Sequence, residues 1–287
     1  MVPENLIVNF TPTGMIPTKE MTPHIPVLVD EIVADVKRAC ELGITMVHLH
    51  AREPDTEVPT YKKEIYAEII GGIREFAPEL IICVSLSGRN FKALSQRADP
   101  LYLEGKLKPD MGSLTLSSLN FNQTASLNAP SMVKDLARTM KELGILPELE
   151  AFDVGMINYA HYLQKKGLLD PPFYFNLLLG NIACAQATLL HAGMMVNELP
   201  EASLWSLAGI GSAQLKMNST AIAMGGGVRV GLEDNFWYDT QRTELATNTT
   251  LLERIHNLSR VNERQIMTPA ELRKHLNLKP GNGSYGR

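Results

Sequence analysis

The chain is predicted to fold as a single-domain (β/α)8 TIM barrel of the α/β class. Its 287 residues are close to the roughly 250 of a typical barrel. Eight short apolar runs alternate with helical patterns, and successive runs start about 25 to 40 residues apart, which is room for one strand and one helix. No Pro/Gly/Ser-rich linker or low-complexity stretch divides the chain, so the domain is expected to span residues 1–287 and to end in a short helical extension. An open doubly wound sheet is the competing architecture. It would want a GxGxxG after the first apolar run, and none is there.

The strands are expected at LIVNF from Leu6, TMVHLH from Thr45, LIICVS from Leu80, MGSLTL from Met111, PELEAF from Pro147, FYFNLLL from Phe173, SLWSLAG from Ser203 and VRVGLE from Val228. Between the first two, Ile32, Val33, Val36 and Cys40 follow a helical repeat that Gly43 is placed to end. Met132, Val133, Leu136, Met140 and Leu143 repeat the pattern after Pro130 and stop at Gly144. Thr268-Pro269-Ala270-Glu271 has the form of a capping box with proline at the first helical position.

Composition narrows the function. Apolar residues are 45% and charged residues 20% of the chain, enough for a full core. With 27 basic against 31 acidic residues, a net charge of −4 and no long basic run, neither nucleic acid nor an anionic membrane is an expected partner. Three scattered cysteines, Cys40, Cys83 and Cys184, do not form a disulfide framework. The sequence has no 18-residue apolar stretch, and MVPENLIVNF lacks a basic segment followed by an apolar one. The expected location is cytoplasmic.

Chemistry concentrates at two strand ends. Alternate strand residues face one side, so His48 and His50 in Val47-His48-Leu49-His50-Ala51-Arg52 project together, their Cα atoms about 6 to 7 Å apart. That spacing lets two imidazoles hold one metal ion at the C-terminal mouth of a barrel; hydrogen-bonded structural histidines are the alternative. At the last strand, Arg229, Gly231 and Glu233 are expected to share a face, with Gly231 leaving room for a bound group. Glu233 can complete a His-His-carboxylate triad with coordination positions left open. Asp234 follows within reach of Arg229, and a structural ion pair is the alternative reading of these charges. Ser85-Leu86-Ser87-Gly88 offers hydroxyls and a permissive backbone to an anion, as do Ser113 and Thr115 on the fourth strand. Glu148 and Glu150 share a face of the fifth. Gly209–Gly211 and Gly225–Gly227 flank the last two strands, where barrels often bind phosphate. His24, His161, His191, His256 and His275 are read as structural or surface residues.

Taken in order, Thr13-Gly14, His48-Leu49-His50, Lys108-Pro109-Asp110-Met111, Pro147-Glu148-Leu149-Glu150, Ala208-Gly209-Ile210-Gly211 and Arg229-x-Gly231-x-Glu233-Asp234-Asn235 resemble the β-keto acid cleavage enzymes over essentially the whole chain. The resemblance implies a zinc-dependent TIM barrel, usually a homo-oligomer, here a dimer or tetramer. It implies transfer of the acyl part of a β-keto acid to coenzyme A from acetyl-CoA, with release of acetoacetate. The zinc ligands it implies are His48, His50 and Glu233, the catalytic pair Arg229 and Asp234, and the substrate contacts Ser85, Gly88, Ser113 and Thr115.

The chain also departs from that pattern. Thr13-Gly14-Met15-Ile16 replaces a Thr-Gly-Ala-Glu whose glutamate meets a substrate amine, so Ile16 implies a substrate without a terminal amine. Ser85-Leu86-Ser87-Gly88 replaces Ser-Thr-Gly-Gly, Thr115 stands for an asparagine, and Ser212 replaces an arginine able to contact a coenzyme A phosphate. A second substrate carboxylate is accommodated if Arg89 points inward. Asp234, coupled to Arg229, is the expected base for the proton between the two carbonyls of the β-keto acid. An amidohydrolase is the rival enzyme class, but it places its His-x-His on the first strand and further histidines on the fifth and sixth. A non-catalytic metal-binding barrel would need neither Arg229 nor Asp234.

Overall fold

In the computed structural model, which describes residues 4–287, each predicted run becomes a strand: Val8–Phe10, Met46–Leu49, Ile81–Val84, Met111–Thr115, Leu146–Ala151, Phe173–Leu179, Ser203–Gly209 and Gly227–Val230. The eight pair in parallel in chain order and close into a barrel. Closure runs through Asn9, which is level with Arg229 on the last strand and with Met46 on the second.

Residues facing outward from the strands, such as Val8, Phe10, Val47, Leu49, Ile82 and Val84, join the main core under the helices. Residues facing inward change character with height. Ile7, Met46, Ile81, Met111 and Leu146 form an apolar floor. The C-terminal extension closes that floor from below. Its helix Pro269–His275 begins with the expected Thr268/Glu271 capping box and inserts Leu272 and Leu276 beneath the barrel. Above the floor the interior turns polar, with Asn9, His48, Glu148 and Asn176 all buried.

The helices Val29–Leu42 and Pro130–Leu143 end at Gly43 and Gly144 as their sequences predict, and Gly144 takes the left-handed conformation (φ 61°) that favours glycine. Two expectations need correction. The third unit has no full helix: only Leu94–Arg97 and the 3-10 turns Asp99–Tyr102 and Gly105–Leu107 follow its strand, because Pro100, Gly105 and Pro109 interrupt the repeat. The last strand stops at Val230 rather than continuing to Glu233. Among the described residues, no helix is long and apolar enough to cross a membrane.

Candidate active site

The C-terminal ends of the strands open into a cavity of about 880 Å3 lined by His50, Arg229, Glu233 and Asp234 at its base. Strand alternation carries His48 and His50 to the same face, as predicted. Their Nε2 atoms lie 3.3 Å apart, and His50 Nε2 lies 3.2 Å from Glu233 Oε1. Glu233 arrives from the turn after the last strand rather than from the strand itself. Gly231 permits that turn, because a methyl group there would collide with the Thr11 carbonyl. Its missing side chain therefore serves a close backbone approach and does not leave room for a ligand.

Glu148 fixes the orientation of His48. Burial raises the affinity of Glu148 for a proton, but His48 and Arg229 outweigh it and hold the carboxyl down at about 2. The ionised carboxylate accepts from His48 Nδ1 at 2.5 Å and from Asn9 Nδ2 at 2.7 Å, so the other ring nitrogen of His48, Nε2, is the one turned toward His50. Cys83 Sγ also lies 3.2 Å from Glu148, which makes His48, Cys83 and Glu148 a second conceivable donor group. Burial and the Glu148 charge push the Cys83 thiol well above its usual value. Cys83 Sγ and His48 Nδ1 are both engaged by Glu148, whereas His48 Nε2, His50 and Glu233 meet at the base of the cavity and form the more open donor set.

Arg229 is the hub on the other side. Its Nε, Nη2 and Nη1 reach Asp234 at 3.0 Å, Glu233 at 2.6 Å and Glu150 at 3.4 Å. Burial is the largest influence on Asp234 and lifts its carboxyl to about 6, with Arg229 opposing and Glu233 reinforcing the shift. Burial also raises Glu150, which accepts from Thr115 Oγ1 at 2.7 Å. Glu233 is held well below its usual range because Arg229 and His50 outweigh its burial.

Three features make the donor set fit a metal ion. Nitrogen and oxygen donors that share one metal ion sit roughly 3 to 3.5 Å from one another, and the two separations above, 3.3 and 3.2 Å, fall there. Glu233 Oε2 is buried without a hydrogen-bond partner, an arrangement that costs free energy unless something binds it. One buried carboxylate, Glu148, and three part-buried ones, Glu150, Glu233 and Asp234, lie around Arg229, a surplus of acidic groups that a divalent cation would offset.

The expected substrate contacts divide. Ser85 and Thr115 line the cavity. Ser113 and Gly88 are not among its lining residues: Ser113 Oγ accepts from Leu86 N at 2.9 Å, and Gly88 packs against the Leu127 carbonyl, Arg97 and Asn128. Both shape the turn that carries Ser85. Ile16 lines the mouth but is 50% exposed, so burial against it is a weaker barrier to an ammonium group than the sequence implied. Ile210 and Gly211 reach the mouth while Gly209 packs against the Ala213 and Gln214 backbone, and Gly226 lies under the Trp205 ring at the opposite end of the barrel and serves packing. Arg242 also lines the mouth. A methyl group on Gly211 would lie 3.9 Å from an Arg242 guanidinium nitrogen, so a cation stands beside the turn where Ser212 supplies none.

Two contributors escaped the sequence reading. Asn9, a polar residue on the inner face of an otherwise apolar strand, carried a readable signal. Arg52, which extends the His48/His50 alternation, donates to the Gly14 and Pro17 carbonyls at 2.8 and 2.9 Å and anchors the first loop of the mouth. His161, His191 and His256 bond to the nearby backbone, as expected of structural histidines.

A family model described as beta-keto acid cleavage enzyme matches residues 5–278. A 3-keto-5-aminohexanoate cleavage enzyme from Fusobacterium nucleatum subsp. nucleatum is 37% identical over 277 residues, covering 96% of this chain and 99% of its own. A 3-oxoadipate:acetyl-CoA acetyltransferase from Cupriavidus necator is 35% identical, with 95% and 94% covered. Among solved structures, the apo structure of ObcA superimposes with a TM-score of 0.75 at 20% identity, over 89% of this chain and 66% of that one. That likeness bears on the barrel alone.

Proposed function

The chain belongs to the β-keto acid cleavage enzyme family, an acyltransferase-type enzyme class, and from that premise we propose that it is a zinc enzyme that converts a β-keto acid and acetyl-CoA into acetoacetate and a new acyl-CoA. The observation that carries the reading is the unpartnered Glu233 Oε2 beside two imidazoles whose Nε2 atoms face each other at 3.3 Å. His48, His50 and Glu233 would hold the ion. When bound, it would act as a Lewis acid toward the keto and carboxylate oxygens of the substrate.

The remaining steps belong to the chain's own residues. Asp234, positioned by Arg229, accepts the proton between the two carbonyls of the β-keto acid. The carbanion attacks the thioester carbonyl of acetyl-CoA, and coenzyme A leaves as the thiolate. That thiolate adds to the original keto carbon; the bond between this carbon and the former carbanion centre breaks, and Asp234 returns its proton to acetoacetate. Every atom of the two substrates is thereby accounted for in acetoacetate and the acyl-CoA. Arg242, beside Gly211, is the cation available to a coenzyme A phosphate on that side of the mouth. Ser85 and Thr115 contact the substrate, while Ser113 and Gly88 act through the turn they shape.

The substrate lacks a terminal amine. Glu150, Glu233 and Asp234 are the acidic residues lining the cavity, and each is already bonded to Arg229. An ammonium group would find no carboxylate that Arg229 does not already hold, the one unpartnered oxygen, Glu233 Oε2, being assigned to the metal, and Arg89 and Arg242 would repel it. An assay of acyl-CoA formation across a panel of β-keto acids, run beside metal analysis, tests the reading. No acyl-CoA product from any member would refute the reaction, and metal-free protein with full activity would refute the zinc.

A further inference from the structure

Arg89 stands directly after the third-strand turn and lines the mouth. Its guanidinium carbon lies 3.8 Å from the centroid of the Phe121 ring. Phe121 is itself held edge-on by Phe152, with centroids 5.8 Å apart. It belongs to a small hairpin in which Leu119–Asn120 pairs with Ala125–Ser126 over the opening. Stacking holds a guanidinium flat by one face and leaves its edge donors free.

Those donors are uncommitted. Among the described residues, the Arg89 side chain makes no hydrogen bond and no ion pair. Burial lowers its pKa from the usual arginine value, and the more distant Glu233 and Glu150 only partly compensate. A half-buried cation with an unused planar fork is suited to a bidentate carboxylate. Met15, Ile16 and Leu119, also on the cavity wall, offer apolar surface to the methylene groups between such a carboxylate and the reacting carbons.

We propose that Arg89 is a specificity-determining residue and that it receives the distal carboxylate of a β-keto dicarboxylic acid. The proposal rests on the reaction read above and names the substrate class for it. An anion at Arg89 has a second conceivable source, a coenzyme A phosphate, and the test separates the two.

Wild type, Arg89→Met and Arg89→Lys are compared on 3-oxoadipate and on 3-oxohexanoate, which has the same chain length without the second carboxylate. kcat/KM is read from acyl-CoA formation. Binding of each acid without acetyl-CoA is read by calorimetry, and KM is measured separately for acetyl-CoA. Wild type should favour the dicarboxylate at least about tenfold in both readings. Arg89→Met should abolish that preference, and Arg89→Lys should restore part of it. A wild-type preference for the monocarboxylate overturns the proposal. So does an equal loss on both acids in Arg89→Met, or a rise in KM confined to acetyl-CoA. If neither acid turns over but the calorimetric preference exists and vanishes in Arg89→Met, the reaction falls and the carboxylate site at Arg89 stands.

Discussion

His48 donates its Nδ1 proton to Glu148 across 2.5 Å, and that single contact decides which nitrogen of His48 faces the mouth. A carboxylate behind a metal-binding imidazole fixes its tautomer and raises its basicity. Glu148→Gln keeps the shape and loses the charge. Its zinc affinity, measured by competition with a chelator, should fall about 10- to 100-fold. His48→Ala should lose most of the bound metal by elemental analysis, against about one zinc per chain in the wild type. Full occupancy in His48→Ala would place the metal elsewhere.

Asp234→Asn preserves the contact with Arg229 but cannot accept a proton. It should keep its zinc and lose turnover by about two orders of magnitude or more. Deuterium uptake from heavy water into the β-keto acid, without acetyl-CoA, isolates the proton transfer. Near wild-type uptake would reassign the base, and Glu150, which also touches Arg229, is the next residue to test.

Arg229→Met has a different expected outcome. Three carboxylates depend on this one guanidinium, and breaking a buried ion pair by removing one partner costs about 3–5 kcal/mol. The variant should unfold at a markedly lower denaturant concentration than Asp234→Asn, in addition to losing turnover. Wild-type stability would mean that the surrounding carboxylates take up protons at little cost.

Substrate choice should follow the charge of the mouth. A neutral 3-oxo acid should exceed 3-keto-5-aminohexanoate at least about tenfold in kcat/KM. Ile16→Glu, which places a carboxylate at the rim, should narrow that ratio. Because Ile16 is half-exposed, the gain will be partly screened by water. A wild-type preference for the amino substrate would refute this account of the mouth without touching the metal site.

Much of this was legible in the residues themselves. The alternation that brings His48 and His50 to one face is a property of any extended strand. Gly43, Gly144 and the Thr268–Glu271 box mark helix ends through local backbone geometry and capping. Eight apolar runs at barrel spacing leave few ways to bury both faces of each strand. Local rules also misled where tertiary contacts took precedence: strand alternation extended the last strand to Glu233, but the chain turns after Val230 beneath the Thr11 carbonyl.

The sequence by itself determined the barrel, the helix ends at Gly43, Gly144 and Thr268 and the pair of histidines, because each depends on periodicity or capping within a few residues. Only the tertiary structure decided what those side chains meet. It set Glu148 behind His48, gathered Glu150, Glu233 and Asp234 on Arg229, left Glu233 Oε2 without a partner, and laid Arg89 on Phe121. Most of these partners lie on different strands and loops. Their separations are fixed by how the eight strands close on one another, and spacing along the chain carries no measure of distance across a closed barrel.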